Sequence, residues 1–502
     1  MMKNCKVNYN GKESIARAGT CLGSFLREKG FENYVCGGHG KCGKCRVICS
    51  GNLSELTETE KKLLSNMDIK AGVRLACQTY INGDCTVITE KAGATVIKTD
   101  GAKLGCPLDP TFKKYGAAID IGTTTVALRL YGADGGILSV QSALNPQKKY
   151  GADVVSRMEA ALKGGGAELA FAVRECLCSL LSSAAGEAGI DTKDIDRVVI
   201  TGNTVMLHLL TETDTEPLTH APFAVKRLFG ETISAKEIGL SVLADNTQVY
   251  IPCCVSAFIG ADTVTALVSV PDITKIKTCV LTDIGTNGET VLIHNGELFA
   301  CSTAAGPAFE GAGISMGMGG SDGAVDKVTV KDGKITAHVI GEKAPVGICG
   351  SGIVDAAAAL ASLEIIDETG YMEDGEAVLI PPVVITQNDI RAVQLAKSAI
   401  HAGIKTLLDV SGLDCGDVDT LFIAGGFGSY LDVKNAAKIG LIPQELEGRV
   451  TVLGNAALSG ASALLLSSPL TEKSEELAKS VKIVELASNP VFAREYMDGM
   501  YF

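Results

Sequence analysis

The chain has 502 residues, of which 46% are hydrophobic and 21% charged, and its formal net charge is −13. This length predicts about two to four globular domains. The acidic balance, without a long run of lysine or arginine, argues against nucleic acid or an anionic membrane as a partner. The first residues have no apolar targeting segment, and we see no run of about 18 apolar residues. We therefore expect a cytoplasmic protein without membrane association.

Cysteine is concentrated near the N-terminus, where eight of the 17 cysteines precede position 90. An odd total without a secretion signal argues against a disulfide framework and favours metal binding. Cys36, Cys42 and Cys45 form a C-x5-C-x2-C pattern, and Cys77 follows at a distance. Three thiolates in one loop and a distant fourth form the ligand plan of a plant-type [2Fe–2S] cluster.

Other assignments of these thiols stay open at this point. A zinc site would use the same cysteines, although zinc ligands usually form two short-spaced pairs and here the fourth cysteine stands alone. Cys49 or Cys85 could replace Cys77 as the fourth ligand, but neither lies in a Leu-Ala-Cys-Gln setting. We interpret His39 as a loop residue, because four cysteines already suffice.

The sequence around the thiols predicts a β-grasp domain over residues 1–92. The predicted elements are a hairpin of strands 6–9 and 13–16 around Asn10-Gly11, a helix over 20–29, a short helix opened by the capping box Thr57-x-x-Glu60, and a strand over 85–89. This segment resembles a [2Fe–2S] ferredoxin, and its five-residue first gap is similar to the adrenodoxin-like branch. Residues 93–113, rich in glycine and proline, predict a linker, for which an ordinary connector is favoured over a hinge.

The remaining chain contains an internal duplication. Ile-Asp-Ile-Gly-Thr-Thr at 119–124 recurs as Thr-Asp-Ile-Gly-Thr-Asn at 282–287, and residues 189–202 align without gaps to 412–425. Each half therefore shares one plan: a strand ending in Asp-x-Gly-Thr, a helical stretch, and a strand ending at glycine. We predict two α/β subdomains, 114–275 and 276–502, with helices packed on mixed sheets and a ligand cleft between them.

The repeated motif has the chemistry of a phosphate-binding turn. Glycine lets the backbone approach a phosphate, neighbouring hydroxyl and N–H groups bind its oxygens, and the aspartate can hold Mg²⁺ through water or orient an attacking water. The candidates are catalytic Asp120 with Gly122, Thr123 and Thr124 in the first half, and catalytic Asp283 with Gly285, Thr286 and Asn287 in the second. No Walker A pattern occurs, which excludes a P-loop ATPase.

Further glycine-rich turns fit a nucleotide site. Gly425, Gly426 and Gly428 follow an apolar strand, and such a turn lets a flat adenosine lie against the backbone. The loop 304–311 carries Glu310, a candidate cleft carboxylate like Asp262, with the role of each left open. For every one of these turns the alternative is a tight packing turn without a ligand.

These motifs resemble the actin, sugar kinase and Hsp70 superfamily, whose fold is ribonuclease H-like. In that resemblance the two Asp-x-Gly-Thr turns are its first and second phosphate motifs, and residues 425–428 are its adenosine motif. The whole chain resembles the reductive activators of corrinoid proteins, in which a ferredoxin module precedes this ATPase fold. The phrases that look like theirs are Asn145-Pro146-Gln147, the stretch 150–157 and the stretch 306–311. The region between the two modules is short for that family.

The resemblance implies a function. ATP and Mg²⁺ would drive one electron from the [2Fe–2S] cluster to Co(II) of a corrinoid protein, regenerating Co(I) for methyl transfer. A low-potential protein would supply the electron, and the resemblance suggests a homodimer. Three alternatives stay open: a redox-sensing, nucleotide-dependent scaffold, a small-molecule kinase with a fused ferredoxin, and an activator of a radical dehydratase. The last usually resembles a lone ATPase domain bridged by a [4Fe–4S] cluster.

Overall fold

The computed structural model describes residues 4–9, 12–27, 29, 45–64, 69, 72–88, 108–151, 153–426 and 430–502. It divides into two compact units. The first comprises residues 1–96 with 339–344, and the second comprises residues 97–338 with 345–502.

The first unit is built on a five-stranded sheet with the order β2-β1-β5-β3-β4. Its elements are β1 Asn4–Tyr9, β2 Lys12–Arg17, α1 Leu22–Arg27, β3 Arg46–Leu53, α2 Glu58–Leu63, β4 Val73–Leu75 and β5 Ile81–Ile88. Strands β1 and β2 form the predicted hairpin, whose Asn10-Gly11 turn lies outside the described residues. Strand β1 is parallel to β5, which gives the predicted β-grasp arrangement.

The core of this unit follows from strand alternation. Alternate residues of β5 are buried from Ile81 to Val87, because successive side chains of a strand point to opposite faces. Helix α1 packs Leu22 and Leu26 into the same core, and each is fully buried. Burial of one such side chain stabilises the fold by about 1.5–3 kcal/mol.

The first half of the second unit contains a six-stranded sheet with the order β10-β11-β9-β6-β7-β8. Its strands are β6 Tyr115–Ile121, β7 Thr125–Gly132, β8 Ile137–Leu144, β9 Ile195–Gly202, β10 Glu231–Ser234 and β11 Gln248–Ile251. Its helices are α3 Val154–Ala160, α4 Gly166–Ala188, α5 Thr204–Leu210, α6 Ala235–Ile238 and α7 Ala261–Ser269.

The second half contains another six-stranded sheet, with the order β21-β20-β12-β13-β14-β22, and two small sheets, β16-β15-β17 and β18-β19. Its strands are β12 Thr278–Ile284, β13 Gly288–His294, β14 Glu297–Thr303, β15 Ala324–Lys331, β16 Lys334–Val339, β17 Gly347–Ile348, β18 Glu376–Ile380, β19 Val383–Thr386, β20 Thr420–Ala424, β21 Val450–Gly454 and β22 Val481–Ile483. Its helices are α8 Gly350–Ser362, α9 Gln387–Val410, α10 Val433–Lys438, α11 Ala456–Leu466, α12 Pro469–Ser480 and α13 Pro490–Asp498.

Strand pairing confirms the predicted duplication. Strand β6 is antiparallel to β7 and parallel to β9, and β12 is likewise antiparallel to β13 and parallel to β20. Asp120 pairs in register with Thr201 on β9, and Asp283 pairs with Ala424 on β20. The two aspartates therefore occupy equivalent positions in two related mixed sheets, as the repeated motif predicts.

The two halves of the second unit share a core through helices α7 and α11. Side chains of both helices, including Leu267 and Leu464, belong to one buried cluster with residues of both six-stranded sheets. The helices cross closely at Gly460, where an added Cβ would lie 1.7 Å from the carbonyl oxygen of Thr265. Only glycine permits this approach, so the crossing fixes the two halves against one another.

The described end of the predicted linker is anchored to the second unit. The N–H groups of Asp109 and Thr111 donate to the carbonyl oxygens of Leu466 and Leu465, each at 2.9 Å. Phe112 is buried in the shared core of the two halves. Residues 109–112 are therefore held by backbone hydrogen bonds and apolar packing.

One helical stretch differs from the expectation of no membrane-length apolar run. Val154–Ala188 is apolar and long enough to cross a membrane by length and composition, and 56% of its most apolar window is buried inside the protein. A core helix meets the same criterion. Within α4, Leu169, Val173, Leu177 and Leu181 all lie in the core of the first half, so the apolar face of this stretch is occupied by protein.

Candidate functional site

Strand β6 delivers Asp120 to the point where the two halves meet. The turn after this strand closes through the Gly122 N–H, which donates to the Thr125 carbonyl oxygen at 3.0 Å. The Asp120 carboxylate accepts a 2.9 Å hydrogen bond from Nδ2 of Asn455. Asn455 also caps α11, accepting from the N–H of Leu458 at 2.8 Å. A residue of the second half therefore holds the catalytic candidate of the first.

Three side chains hold the first loop, residues 122–124, from behind. Nδ2 of Asn145 donates to the Gly122 carbonyl oxygen at 2.9 Å. Nη2 of Arg157 donates to the Thr123 carbonyl oxygen at 2.6 Å, and Nδ2 of Asn203 donates to the Thr123 hydroxyl at 3.2 Å. The carbonyl oxygens of Gly122 and Thr123 are engaged in this way, which restrains the loop.

Arg157 is fully buried, and its hydrogen-bond partners are neutral. Besides Thr123, it donates through Nε to the Gly151 carbonyl oxygen at 3.0 Å and through Nη1 to the Met206 sulfur. Burial lowers the pKa of Arg157 to about 10, against the opposing charges of Asp153 and Glu310. The guanidinium stays protonated at neutral pH, so it places a positive charge directly behind the first loop.

The second loop, residues 285–287, follows β12. The Gly285 N–H donates to the Asn287 carbonyl oxygen at 3.1 Å, and the Gly306 N–H donates to the Thr286 carbonyl oxygen at 2.8 Å. Both the N–H and the hydroxyl of Thr286 donate to the Glu310 carboxylate, at 3.1 and 3.0 Å. Glu310 ends a short turn, Pro307–Glu310, that directly follows β14 and Gly306.

The two loops converge on Glu310. The Thr124 hydroxyl donates to Oε2 of Glu310 at 2.5 Å, and the same oxygen accepts from the Thr286 hydroxyl. We call the loops 122–124 and 285–287, with Asp120 and Asp283, the paired-loop site. The structure thus brings together both predicted phosphate motifs, and it adds Glu310 as the side chain that joins them.

The paired-loop site is rich in carboxyl groups. Burial raises the pKa of Asp120 to about 7 and that of Asp262 to about 6. Burial, together with the charges of Asp262, Asp120 and Glu310, raises the pKa of Asp283 to about 8. The pKa of Glu289 is raised well above its ordinary value for the same reason, burial first and neighbouring carboxylates second. A cation at this site would relieve the repulsion among these groups.

Such a cation would need ligands besides these side chains. In the part of the chain that the structure describes, no group of three or more His, Cys, Asp or Glu side chains is placed to hold a metal ion by itself. Mg²⁺ usually keeps several waters and binds through one or two carboxylates and substrate phosphates. The donor set therefore fits a magnesium ion bound partly through water and phosphate.

The predicted adenosine turn begins at Gly425, directly after β20. Gly425 has a φ of +105°, and an added Cβ would lie 2.5 Å from the Ile284 carbonyl oxygen and 3.0 Å from Oδ1 of Asp283. Glycine is therefore required here by its backbone conformation and by the close approach of Asp283 and Ile284 at the end of β12. Gly426 is exposed, and Gly428 lies outside the described residues. The turn therefore lies next to the second loop. A nucleotide whose phosphates bind that loop would lie beside this turn.

In the first unit the structure brings Cys45 and Cys77 together. Cys45 immediately precedes β3, which is antiparallel to β4, and the N–H of Ala76 donates to the Cys45 carbonyl oxygen at 2.8 Å. Cys77 lies in the single turn Ala76–Gln78, and both thiols are buried. Cys36 and Cys42 lie outside the described residues. The two described candidates fit a shared cluster site.

A buried ion pair holds the turn that carries Cys77. Glu60 is fully buried and accepts from Nε of Arg74 at 2.8 Å, from the N–H of Leu75 at 3.0 Å and from the Thr79 hydroxyl at 3.2 Å. The predicted capping box is also present, since Glu60 accepts from the Thr57 N–H at 3.0 Å. Glu60 therefore fixes both the start of α2 and the residues on either side of Cys77.

The alternative fourth ligands lie within the sheet. Cys49 is on β3 opposite Val87, and Cys85 is on β5 opposite Gly51. Burial raises the pKa of Cys49 to about 12 and raises that of Cys85 as well. Neither cysteine lies in the turn next to Cys45, so the geometry favours Cys77.

Sequence reasoning missed several residues that hold the paired-loop site. Asn203 and Asn455 are helix caps, and Arg157 ends the stretch 150–157, which resembles the family but carries no recognised chemical motif. An asparagine directly before an apolar helix is a cap signal, and that signal could have found Asn455, although not its partner. Asp262 carries no contact in the structure that assigns it a chemical role.

These two sets of residues define a class of protein, a ferredoxin-type domain followed by a duplicated ATPase fold. Comparison with known families agrees. Residues 7–82 match the family described as a 2Fe-2S iron-sulfur cluster binding domain. Residues 115–273 match the RACo middle region, and residues 277–502 match the C-terminal domain of RACo, the ASKHA domain. The matches support a [2Fe–2S] cluster in the first unit and nucleotide binding in the second.

Similarity to individual proteins identifies the family within this class. The chain is 37% identical over 420 residues to the corrinoid activation enzyme RamQ of Eubacterium limosum, covering 77% of this chain and 70% of the relative. It is 26% identical over 424 residues to a Co(II) methylated amine-specific corrinoid protein reductase of Methanosarcina barkeri, covering 76% of each. A solved reductive activator for a corrinoid, iron-sulfur protein superposes with a TM-score of 0.74 at 28% identity, covering 99% of this chain and 98% of that one. The chain belongs to the family of reductive activators of corrinoid proteins.

Proposed function

We propose that this protein is an ATP-hydrolysing reductase that activates a corrinoid protein. It passes one electron from a [2Fe–2S] cluster to Co(II) and so regenerates the Co(I) that accepts a methyl group. The observation that carries the proposal is the convergence of two Asp-x-Gly-Thr loops at one point, in a chain that also brings two cluster cysteines together. The names of the relatives support the corrinoid protein as the electron acceptor.

In this proposal the paired-loop site binds the phosphates of ATP from two sides. The backbone N–H groups and polar side chains of both loops contact phosphate oxygens, since turns of this kind form anion-binding concavities. These contacts come from Gly122, Thr123 and Thr124 in the first loop and from Gly285, Thr286 and Asn287 in the second. Arg157 adds positive charge behind the first loop.

Asp120 and Asp283 are the catalytic residues of the proposal. Mg²⁺ bound with ATP supplies charge neutralisation for the transferred phosphoryl group. The two carboxylates hold the waters around that ion or orient the water that attacks the terminal phosphate. Their raised pKa values reflect burial and like charge, and a nearby cation restores the ionised forms that these roles need. Gly425, Gly426 and Gly428 accept the adenosine.

Cys36, Cys42, Cys45 and Cys77 are the cluster ligands of the proposal, and the cluster supplies one-electron transfer. Plant-type clusters have reduction potentials of about −400 mV. The family resemblance implies that the Co(II)/Co(I) couple of the corrinoid has a lower potential than this, so the electron transfer is uphill. Every ~59 mV uphill costs about a factor of ten in the equilibrium of a one-electron transfer. ATP offsets this difference if the nucleotide states differ in affinity for the corrinoid protein. Docking would then weaken the lower cobalt ligand and raise the cobalt potential.

The remaining parts of the proposal concern organisation. The domains are residues 1–92, a linker over 93–113, and ATPase subdomains over 114–275 and 276–502. A low-potential protein donates the electron, the protein acts in the cytoplasm, and it assembles as a homodimer. Measurement of the molecular mass in solution would test the homodimer. Electron transfer from candidate ferredoxins to the cluster-loaded protein would test the low-potential donor.

The test of the proposal is anaerobic absorbance spectroscopy of a corrinoid protein loaded with cob(II)alamin. The mixture contains this protein, a low-potential reductant and Mg²⁺, with ATP present or omitted. We expect the cobalt(I) band to form only with ATP. ATP hydrolysis while the cobalt stays Co(II) would exclude that corrinoid protein as the partner and favour the scaffold or the kinase, and a phosphorylated small product would favour the kinase.

A further inference from the structure

Glu310 occupies a singular position between the two loops. Its carboxylate accepts from the Thr124 hydroxyl at 2.5 Å, from the Thr286 hydroxyl at 3.0 Å and from the Thr286 N–H at 3.1 Å. An added Cβ on Gly285 would lie 3.2 Å from Oε1 of Glu310, so this carboxylate also lies close over the second loop. One side chain thus joins residues that are 162 positions apart, from Thr124 to Thr286.

The donors that Glu310 uses are the donors that the proposed function assigns to phosphate. A carboxylate and a phosphate are both compact anions that accept hydrogen bonds from hydroxyl and backbone N–H groups. Two of the six loop residues in the proposal, Thr124 and Thr286, have a hydroxyl engaged by Glu310. One set of donors cannot satisfy both anions at once.

The negative charge of Glu310 also opposes phosphate binding between the two loops. Glu310 lies close enough to Asp283 to disfavour ionisation of that carboxyl, and Asp262 and Asp120 act on Asp283 in the same way. Arg157, behind the first loop, is a positive charge that acts on Glu310. Phosphates entering this acidic surrounding would be repelled by a carboxylate left between the loops. Movement of Glu310 away from the loops removes that repulsion and frees the hydroxyls together.

We propose that Glu310 is an internal anion that joins the two phosphate loops and competes with the phosphates of a nucleotide for Thr124 and Thr286. This inference rests on the proposed function, because it takes the loops to be the phosphate site. Glu310 thereby lowers the affinity of the nucleotide-free protein for nucleotide. When phosphate binds, it displaces the Glu310 carboxylate from both loops at once. Glu310 acts on nucleotide binding through these two threonines, so it is a positioning residue.

The test is calorimetric titration of the full-length, cluster-loaded protein with MgADP and with the magnesium complex of a non-hydrolysable ATP analogue. The variants are E310Q, which keeps the size of the side chain, and E310A, which removes the bridge. The matched control is E376Q, which removes one negative charge from an exposed position on β18. Cluster absorbance and thermal unfolding confirm that each variant is folded.

We expect both Glu310 variants to bind the nucleotides about tenfold more tightly or better, which corresponds to about one lost competing hydrogen bond to a charged group. E376Q should bind like the wild type. Unchanged or weaker binding by E310Q and E310A, with normal binding by the wild type, would overturn this inference and leave the proposed function standing. Absence of nucleotide binding by the wild type and both variants would overturn the paired-loop site itself, and this inference with it.

Discussion

The first and second loops of the second unit share one motif and are supported in different ways. The first loop is held by side chains of its own half, two asparagines and the buried cation Arg157. The second loop is held by backbone hydrogen bonds and by the anion Glu310. Asp120 has a hydrogen-bond partner in Asn455, whereas the pKa of Asp283 is set by burial and like charges alone. The motif is the same in both halves, whereas its surroundings differ: a cation lies behind the first loop, and an anion joins the second loop to Thr124 of the first.

The largest expected effect concerns both loops equally. Asp120→Asn and Asp283→Asn should each lower kcat for ATP hydrolysis by about a hundredfold to ten-thousandfold, the usual contribution of a positioned acid–base or water-orienting group. Steady-state phosphate release measures this. The control is Asp374→Asn, an exposed position remote from the paired-loop site in sequence. If only one of the two variants loses activity, the loops are not chemically equivalent.

Arg157→Met should distinguish the first loop from the second. It removes hydrogen bonds from the Thr123 and Gly151 carbonyl oxygens inside the protein. We expect a loss of about 2–4 kcal/mol in the free energy of unfolding, because buried carbonyl groups would lose charged partners. Chemical denaturation measures this, with Arg494→Met as the exposed control. A variant as stable as the wild type would show that Arg157 does not hold the first loop.

The pH dependence of the free energy of unfolding should report on Asp283, the aspartate that precedes the second loop. Because the pKa of Asp283 is raised to about 8, the folded protein holds this proton more tightly than the unfolded chain does. Its contribution to stability is therefore full below the unfolded pKa of about 4 and is lost as pH rises through about 8. Asp283→Asn removes that loss.

Without nucleotide or Mg²⁺, we expect Asp283→Asn to be more stable than the wild type by several kcal/mol, about 5 at most, at a pH of about 9. The two proteins should be equally stable at a pH of about 4, where both side chains are neutral. Denaturant titrations at the two pH values measure this difference. A variant that is less stable at high pH would show that the ionised carboxylate has a stabilising partner.

The smallest expected effect separates the two contacts of Asn203. This residue caps α5 through the Met206 N–H at 2.9 Å and donates to the Thr123 hydroxyl. Asn203→Ala should lower stability by about 1 kcal/mol, since it loses the cap. Asn203→Ser keeps a capping oxygen and is too short to reach Thr123, so it should lose less stability while weakening MgATP binding to a similar extent. Equal nucleotide affinity in all three proteins would exclude a role for this contact.

Much of the fold was open to prediction because its signals are local. The paired Asp-x-Gly-Thr motifs gave the position of both loops, and the capping box Thr57–Glu60 is present as predicted. Contacts between distant residues carried no such signal. Asn455 donates to Asp120, which is 335 positions away in the sequence. The sequence identifies Glu60 as a cap residue, but its hydrogen bonds around Cys77 form only after the strands pair. The apolar length of Val154–Ala188 was missed because charged residues, among them Arg174 and Glu175, interrupt its apolar run.

The central claim is that ATP hydrolysis at the paired loops drives electron delivery from the cluster. The most direct test compares wild type, Asp283→Asn and Cys45→Ser for two readouts in one anaerobic mixture with a cob(II)alamin-loaded corrinoid protein: phosphate release and cobalt(I) absorbance. We predict that the wild type shows both, Cys45→Ser releases phosphate without forming cobalt(I), and Asp283→Asn does neither although its cluster is intact. Formation of cobalt(I) by Asp283→Asn at the wild-type rate would contradict the account.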